Sequence, residues 1–299
     1  MKYKFLFVYH QPQDLIGQWS LPKGFAKAIR NLGYCVSELT FQDSSSCLSL
    51  SDQIREASIK HNVLLCMYAG KSSQLDDLIS LAKLSNPELV IINELGDEPQ
   101  TFKHNHNRAI QSDIILTPCY KSMLAWSNKG LNAYWFTHWA DSEIFYRDSS
   151  IQKDKFMSTT VGNRRYTFLL KLLLGKKFIN QRIPVHENTR FYNRSHNAFQ
   201  YARWGEVTRR IFEASACGCC VLTNQLNKET MIESIFKHNE SIIYYKGPFS
   251  LIWEILVLNF NPYKQKRIAS KALKIVTDSH TSVQRALQLI IILNKHFDA

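Results

Sequence analysis

The feature that most constrains this chain is a rhythm in its first half. Short, almost uninterrupted apolar runs recur at Lys4–Tyr9, Cys35–Leu39, Val63–Tyr68, Leu89–Asn93, Asp113–Thr117 and Ala133–Thr137. Between them lie helix-period stretches at Leu21–Leu32 (with Gly33 as its stop), Ser51–Lys60, Gln74–Leu84, Asn105–Gln111 and Tyr120–Lys129. Strands that are apolar on both sides need cover on both faces, and strands joined through helices run parallel. The pattern therefore predicts a parallel α/β sheet with helices on both faces. Ligands of such sheets gather at the carboxyl ends of the strands. Those ends carry His10–Gln11, Tyr68–Gly70, Glu94–Pro99 and His138–Asp141.

A polar, unpatterned stretch rich in Ser and Asp, Asp141–Lys155, marks the expected boundary between a domain at 1–150 and a second at 151–299. At 299 residues and 45% hydrophobic content the chain can bury two cores. The second set opens with a strand at Met157–Val161 and a helix at Arg164–Leu174. The aromatic stretch Phe191–Trp204 fits neither the helix nor the strand period. Further on, a helix is expected at Lys228–Phe236, a strand at Ile242–Tyr245, a helix at Pro248–Leu258, and then a helical tail broken near His280. No apolar run approaches the roughly 20 residues of a membrane span. The opening MKYKFLFVYHQPQD is basic then apolar, but short and without a small-residue cleavage site, so it reads as the first buried strand. Seven cysteines without framework spacing point to a reducing, cytoplasmic compartment.

Charge is unevenly divided. Residues 1–150 hold 14 Lys and Arg against 15 Asp and Glu, whereas residues 151–299 hold 23 against 10, so the whole net charge of +12 comes from the second half. Such a field draws phosphorylated small molecules or polyanions. Nucleic acid is the competing partner, because basic surfaces interleaved with aromatics are common in its binders, but no recognition module is present and none is expected to bind.

Within the basic half, the stretch Gly205–Asn224 reads as helix, tight turn and strand, with the helix from about Glu206 to Ala216 and Gly218 as its stop. Arg210 and Glu213, three apart, project from nearly one face of that helix. A guanidinium and the free N–H groups of a helix N-terminus take phosphate, and a carboxylate takes sugar hydroxyls. The plain alternative is a solvated intrahelical ion pair. Cys217, Cys219 and Cys220 lack the second pair of a tetrahedral metal site and read as small packed thiols.

An ordered series of motifs then resembles one family. Gly162 after a strand with Arg164 and Arg165 beyond it, Arg210-Ile211-Phe212-Glu213-Ala214 followed by Ala216-Cys217-Gly218, Phe236 with Asn239-Glu240 and Ile242–Tyr245, and His280-Thr281 with Gln284-Arg285-Ala286 are similar, in that order, to motifs of the CgeB-like glycosyltransferases. That resemblance implies the GT-B architecture: two Rossmann-like domains facing across a cleft, the first for the acceptor, the second for a nucleotide sugar, with the C-terminal helix crossing back. It implies that Glu213 holds ribose hydroxyls and that Gly162, Arg165, Arg210 and, further off, Arg285 serve the diphosphate, with Arg164 and Arg209 as neighbours able to take the same role. Fixed positive groups aimed at the leaving diphosphate stabilise its developing charge without a metal, so no metal and no cofactor beyond the donor are expected. Many retaining GT-B enzymes space two glutamates by seven residues, whereas six separate Glu206 from Glu213; Glu206 is equally a carboxylate favouring the helix dipole.

For an inverting reaction the general base is expected in the first domain, with Asp97 and Glu94 ahead of His10 and His138, and Glu98 in the same acidic loop. The expected activity is sugar transfer to a glycan or lipid-linked acceptor in cell-surface glycan synthesis, such as polysaccharide or lipopolysaccharide. Peripheral association with an anionic membrane would suit the basic half. A nucleotide-sugar epimerase of the same architecture and a nucleic-acid-binding protein are the alternatives.

Overall fold

The computed structural model describes residues 2–11, 19–41, 47–67, 73–96, 98, 100–160, 163–181 and 184–298. Asp97, Gly162 and the segment Tyr68–Gly70, singled out above, lie outside the described residues. The chain divides into two units, Met1–Thr137 with Val283–Ala299, and His138–Ser282. The Ser- and Asp-rich stretch Asp141–Lys155 falls within the second.

The first unit carries β1 (Lys4–His10), α1 (Leu21–Asn31), β2 (Cys35–Phe41), α2 (Cys47–Lys60), β3 (Val63–Met67), α3 (Ser73–Ser85), β4 (Val90–Glu94), α4 (His106–Ile110), β5 (Ile114–Thr117), α5 (Tyr120–Ser127) and β6 (Ala133–Trp135). Its six strands are parallel in the order β2-β1-β3-β4-β5-β6. Local chemistry sets the element ends. Ser20 caps α1 by accepting from the Lys23 N–H at 3.3 Å, Pro22 sits in the first turn where its missing N–H costs nothing, and Gly33 ends the helix at φ +86°. Apolar β-face residues such as Leu6, Leu64 and Ile91 pack against Ile54 of α2 and Leu78 of α3 in one core.

The second unit carries β7 (Lys155–Thr159), α6 (Arg164–Leu174), β8 (Phe178–Asn180), α7 (Asn188–Arg194), β9 (Ser195–Gln200), α8 (Arg209–Ala216), β10 (Cys220–Asn224), β11 (Ile243–Tyr245), α9 (Pro248–Phe260) and α10 (Pro262–Ser279). Its five strands are parallel in the order β11-β10-β9-β7-β8. Both sheets thus reverse winding direction once, between β1 and β3 in the first and between β7 and β9 in the second. That reversal opens a crevice at the carboxyl ends where doubly wound folds bind ligands. The last helix, α11 (Ser282–Phe297), belongs almost wholly to the first unit: Arg285 donates to the Thr137 carbonyl and hydroxyl at 3.0 and 2.6 Å, and Tyr3 donates its hydroxyl to Asn294 at 2.7 Å.

Some sequence expectations change. Lys228–Phe236 is two short 3-10 turns rather than a helix, because Met231 between them adopts the left-handed conformation at φ 56° and cannot propagate the helix. The stretch Phe191–Trp204 resolves into the end of α7 and the central strand β9, which explains why neither period fitted it. Among the described residues no helix is long and apolar enough to cross a membrane.

Candidate active site

The site is built around α8. The helix begins at Arg209 with Thr208 as its N-cap, three residues later than the sequence suggested. The delay has a local cause. Gly205 takes φ +73°, Glu206 accepts from the Trp204 N–H at 2.7 Å, and Asn227 both donates its side chain to the Trp204 carbonyl at 3.1 Å and its N–H to the Gly205 carbonyl at 3.0 Å. Glu206 therefore belongs to the loop that leads into α8 and not to the helix. A Cβ on Gly205 would come within 2.8 Å of the Asn227 side-chain oxygen, so only glycine fits this lock. At the other end Gly218, at φ +71°, turns the chain into β10, its N–H bonding back to the Ser215 carbonyl at 2.9 Å.

Glu213 lies on the inner side of α8, 1% exposed. The partner it meets is Arg209, one turn back, with Nε 2.9 Å from Oε1; the pair anticipated with Arg210 is not formed. The Arg209 N–H is poorly aligned on that oxygen, so the contact is an ion pair and both Glu213 oxygens keep their hydrogen-bond acceptor capacity. Burial pushes the Glu213 carboxyl up, opposed by the charges of Arg209 and Arg210, and burial likewise lowers the Arg209 guanidinium. The Thr208 hydroxyl at the helix start is also buried without a hydrogen-bond partner among the described residues. Unfilled buried polar atoms are uncommon, and three such residues at one helix, Thr208, Glu213 and Ser215, call for an explanation.

Two further groups face the same place. Tyr192 of α7 is buried, its hydroxyl 3.4 Å from that of Thr160 at the end of β7, and it feels the charges of both Glu213 and Arg210, with burial holding its phenol far above the ordinary range. Thr160, Tyr192, Arg209, Arg210 and Glu213 thus form one polar cluster at the point where the second sheet reverses. Tyr192 and Thr160 were missed by sequence reasoning; the first sits in the stretch of unclear period, the second carries no distinctive chemistry alone. A cavity of about 680 Å³ in this unit lies elsewhere, against Lys153, His196 and Gly218 at the amino ends of the strands. The cluster is the better candidate, since ligands of parallel sheets bind at the opposite ends.

The remaining predicted residues are distributed as follows. Asn163 caps α6 by accepting from the Arg165 N–H at 3.0 Å, leaving the Arg164 and Arg165 side chains exposed beside that helix start. Arg285 is buried in the first unit, where its guanidinium also donates to Gln288 at 2.6 Å and burial lowers it to about 10. Glu94 closes β4, with Gly96 close to its carboxylate, and His10 ends β1 with its ring packed on Phe41 at 5.5 Å, at the reversal of the first sheet. Glu98 turns inward, accepting from Asn105, Thr117 and Trp126. Asp141 is buried and holds the turn after it through the Glu143 N–H at 3.0 Å. Among the described residues no group of three His, Cys, Asp or Glu side chains is arranged to hold a metal ion.

Residues 152–291 match the family described as glycosyl transferase-like, a span that contains the whole cluster around Glu213. No curated protein matches the chain. Among solved structures, it is similar to Anabaena HepE in complex with UDP-glucose, at 11% identity and TM-score 0.67, over 98% of this chain and 100% of that one. It is also similar to sucrose-phosphate synthase from Thermosynechococcus elongatus, at 9% identity and TM-score 0.69, over 99% and 100%. An alpha-glucosyltransferase in complex with UDP-glucose and DNA containing an abasic site aligns at 13% identity and TM-score 0.60, over 98% and 100%. The chain therefore has the GT-B fold of two Rossmann-like α/β units, and its stretch 152–291 is glycosyl transferase-like.

Proposed function

We propose that this protein transfers a sugar from a nucleoside diphosphate sugar to an acceptor hydroxyl, with the donor held by the second unit. The observation that carries this is the buried Glu213 carboxylate, paired by charge to Arg209 yet with its acceptor sites unfilled by the described residues, at the reversal point of a sheet within the glycosyl transferase-like stretch. A carboxylate in that state accepts from the two hydroxyls of a ribose. Arg210, Arg165 and the N–H groups at the starts of α6 and α8 supply fixed positive charge for the diphosphate, which gains negative charge as the glycosidic bond breaks. This charge set makes a divalent ion unnecessary, so turnover is expected to survive chelation by EDTA.

On the first unit, Glu94, Asp97 and His10 are the groups from which a general base for an inverting reaction would come. The acceptor is a glycan or a lipid-linked sugar, in line with synthesis of surface polysaccharide, and hexose is the transferred group. Because HepE carries UDP and UDP-glucose in its solved complexes, these are the first probes. Glu213→Gln and Arg210→Ala are to be tested by calorimetric titration with UDP and by release of UDP from UDP-sugars. Unchanged binding and unchanged turnover in both variants would falsify the assignment of this site. Sugar inversion in the donor with no acceptor present would instead identify an epimerase.

A further inference from the structure

Helix α9, PFSLIWEILVLNF, carries a single charged residue, Glu254, and is apolar all round. A helix of that composition is ordinarily enclosed by protein or lipid. Here only one side is enclosed: Leu251, Ile255 and Leu258 enter the core, while Phe249, Trp253, Leu256 and Phe260 are exposed, Phe249 at 87% and Phe260 at 80%. Their spacing of four, three and four residues makes one continuous stripe. Tyr263, exposed at the start of α10, extends it. Helix α6 repeats the arrangement, with Leu170 buried and Phe168 and Leu172 exposed at 71% and 73%.

Both helices cover the same face of the second sheet. Leu170 and the buried residues of α9 join one core with Met157, Phe199, Leu222 and Ile243, which the parallel register sets on a common side. The two exposed stripes therefore belong to one helical layer. Glu254 of α9 aside, the charges along and beside these helices in the sequence share a sign. Arg164, Arg165, Lys171, Lys176 and Lys177 lie along α6 and its end without one acidic residue in the span 164–177, and Lys246, Lys266 and Arg267 flank α9. All eight of these basic residues are exposed.

We propose that this helical layer of the second unit docks on an anionic membrane surface, α9 lying along the boundary between headgroups and acyl chains with the basic end of α6 at Lys176 and Lys177 against the headgroups. At 13 residues α9 is about 20 Å long, short of the roughly 30 Å hydrocarbon core, so it lies in the interface and does not span. Trp, Tyr and Phe are the side chains suited to that depth, and Lys and Arg beside them meet anionic lipid. A second copy of the chain is the poorer fit, since it would bring two basic faces together and lysine is depleted at protein interfaces.

Flotation of the full chain with vesicles of phosphatidylcholine, alone and with phosphatidylglycerol added, tests this. The expected result is binding to the anionic vesicles that weakens with salt. Phe249→Ser with Trp253→Ser lowers the partition about tenfold or more, from two aromatic rings no longer buried in lipid. Lys176→Glu with Lys177→Glu lowers it several-fold and flattens its salt dependence. All four positions are exposed, so the melting temperature and nucleotide affinity of the variants should match the parent. The proposal is overturned if the parent ignores anionic vesicles, or if the aromatic variant floats as well as the parent. It is equally overturned if sedimentation shows a dimer that the aromatic variant dissociates and no lipid binding, which would make this face a contact between copies.

Discussion

Glu98 in the first unit and Glu213 in the second are carboxylates of nearly equal burial, 3% and 1% exposed, and their surroundings differ in one respect. Glu98 accepts hydrogen bonds from the Asn105 amide at 3.1 Å, the Thr117 hydroxyl at 3.0 Å and the Trp126 indole at 3.1 Å. Glu213 accepts no hydrogen bond from the described residues and is held by the charges of Arg209 and Arg210. A carboxylate whose acceptor sites are filled by its own chain is a structural joint, here tying the β4–α4 loop to β5 and α5. One held by charge retains its acceptor capacity for a ligand's hydroxyls. Burial by itself does not separate the two; hydrogen-bond completeness does.

The contrast is sharpest under truncation. Glu98→Ala strands three buried donors and should cost about 3 kcal/mol of stability, a fall of about 6–12 °C in melting temperature, with nucleotide affinity untouched. Glu213→Gln keeps the shape and removes the charge. It should lower turnover of a nucleotide sugar about 100-fold while moving the melting temperature by only a few degrees. Calorimetric unfolding and steady-state rates on the two variants, side by side, check both outcomes. A large loss of stability in Glu213→Gln with little loss of turnover would erase the distinction.

Gly205→Ala probes how the helix carrying Glu213 is positioned. The new methyl group would need φ near +73° and a place already taken by the Asn227 side chain, at 2.8 Å. The expected cost is about 1–2 kcal/mol, with a several-fold loss of nucleotide affinity because Thr208 and Arg209 follow within four residues. Asn227→Ala in the same background should recover part of the stability, since it removes the obstructing atoms; thermal melts of the single and double variants measure this coupling.

How far these features could be read in the sequence depended on whether their cause was local. The parallel sheets were legible because apolar runs and helix periods are local signals, and α6 matches Arg164–Leu174 as expected. That Glu213 lies in a helix ahead of a glycine stop was legible for the same reason. Its partner was not: three- and four-residue spacings both put a cation beside Glu213, and rotation of α8, set by the buried Ile211 and Phe212, brings in Arg209. The hydrogen bond of Arg285 to Thr137, a partner 148 residues away, was not legible, because α11 brings them together only in the folded chain. Met231 in the left-handed region ended a helix that composition favoured, and no residue type at that position announces such a turn. The exposed stripe on α9 was invisible as well, because an apolar helix has the same sequence whether one side or both are covered.

The pH dependence of the two carboxylates supplies the finest test of their difference. Burial raises both, and for each the folded state favours the protonated form. The stability this confers is fully present below the ordinary glutamate value, about 4.3, and is lost as pH rises through the raised value in the folded protein. Both Glu98→Gln and Glu213→Gln should therefore flatten the stability profile above the ordinary glutamate value. Binding separates them. A ribose donates its hydroxyls to an ionised Glu213, so affinity for a nucleotide sugar, whose diphosphate stays ionised throughout, should rise with pH through the raised Glu213 value and then level off. Glu98→Gln keeps that slope, because its carboxylate faces only Asn105, Thr117 and Trp126, whereas Glu213→Gln binds weakly and without slope. Titrations of each variant from the ordinary glutamate value upward in pH read the difference directly. A slope that disappeared with Glu98 and survived the loss of Glu213 would reverse the roles assigned to the two buried glutamates.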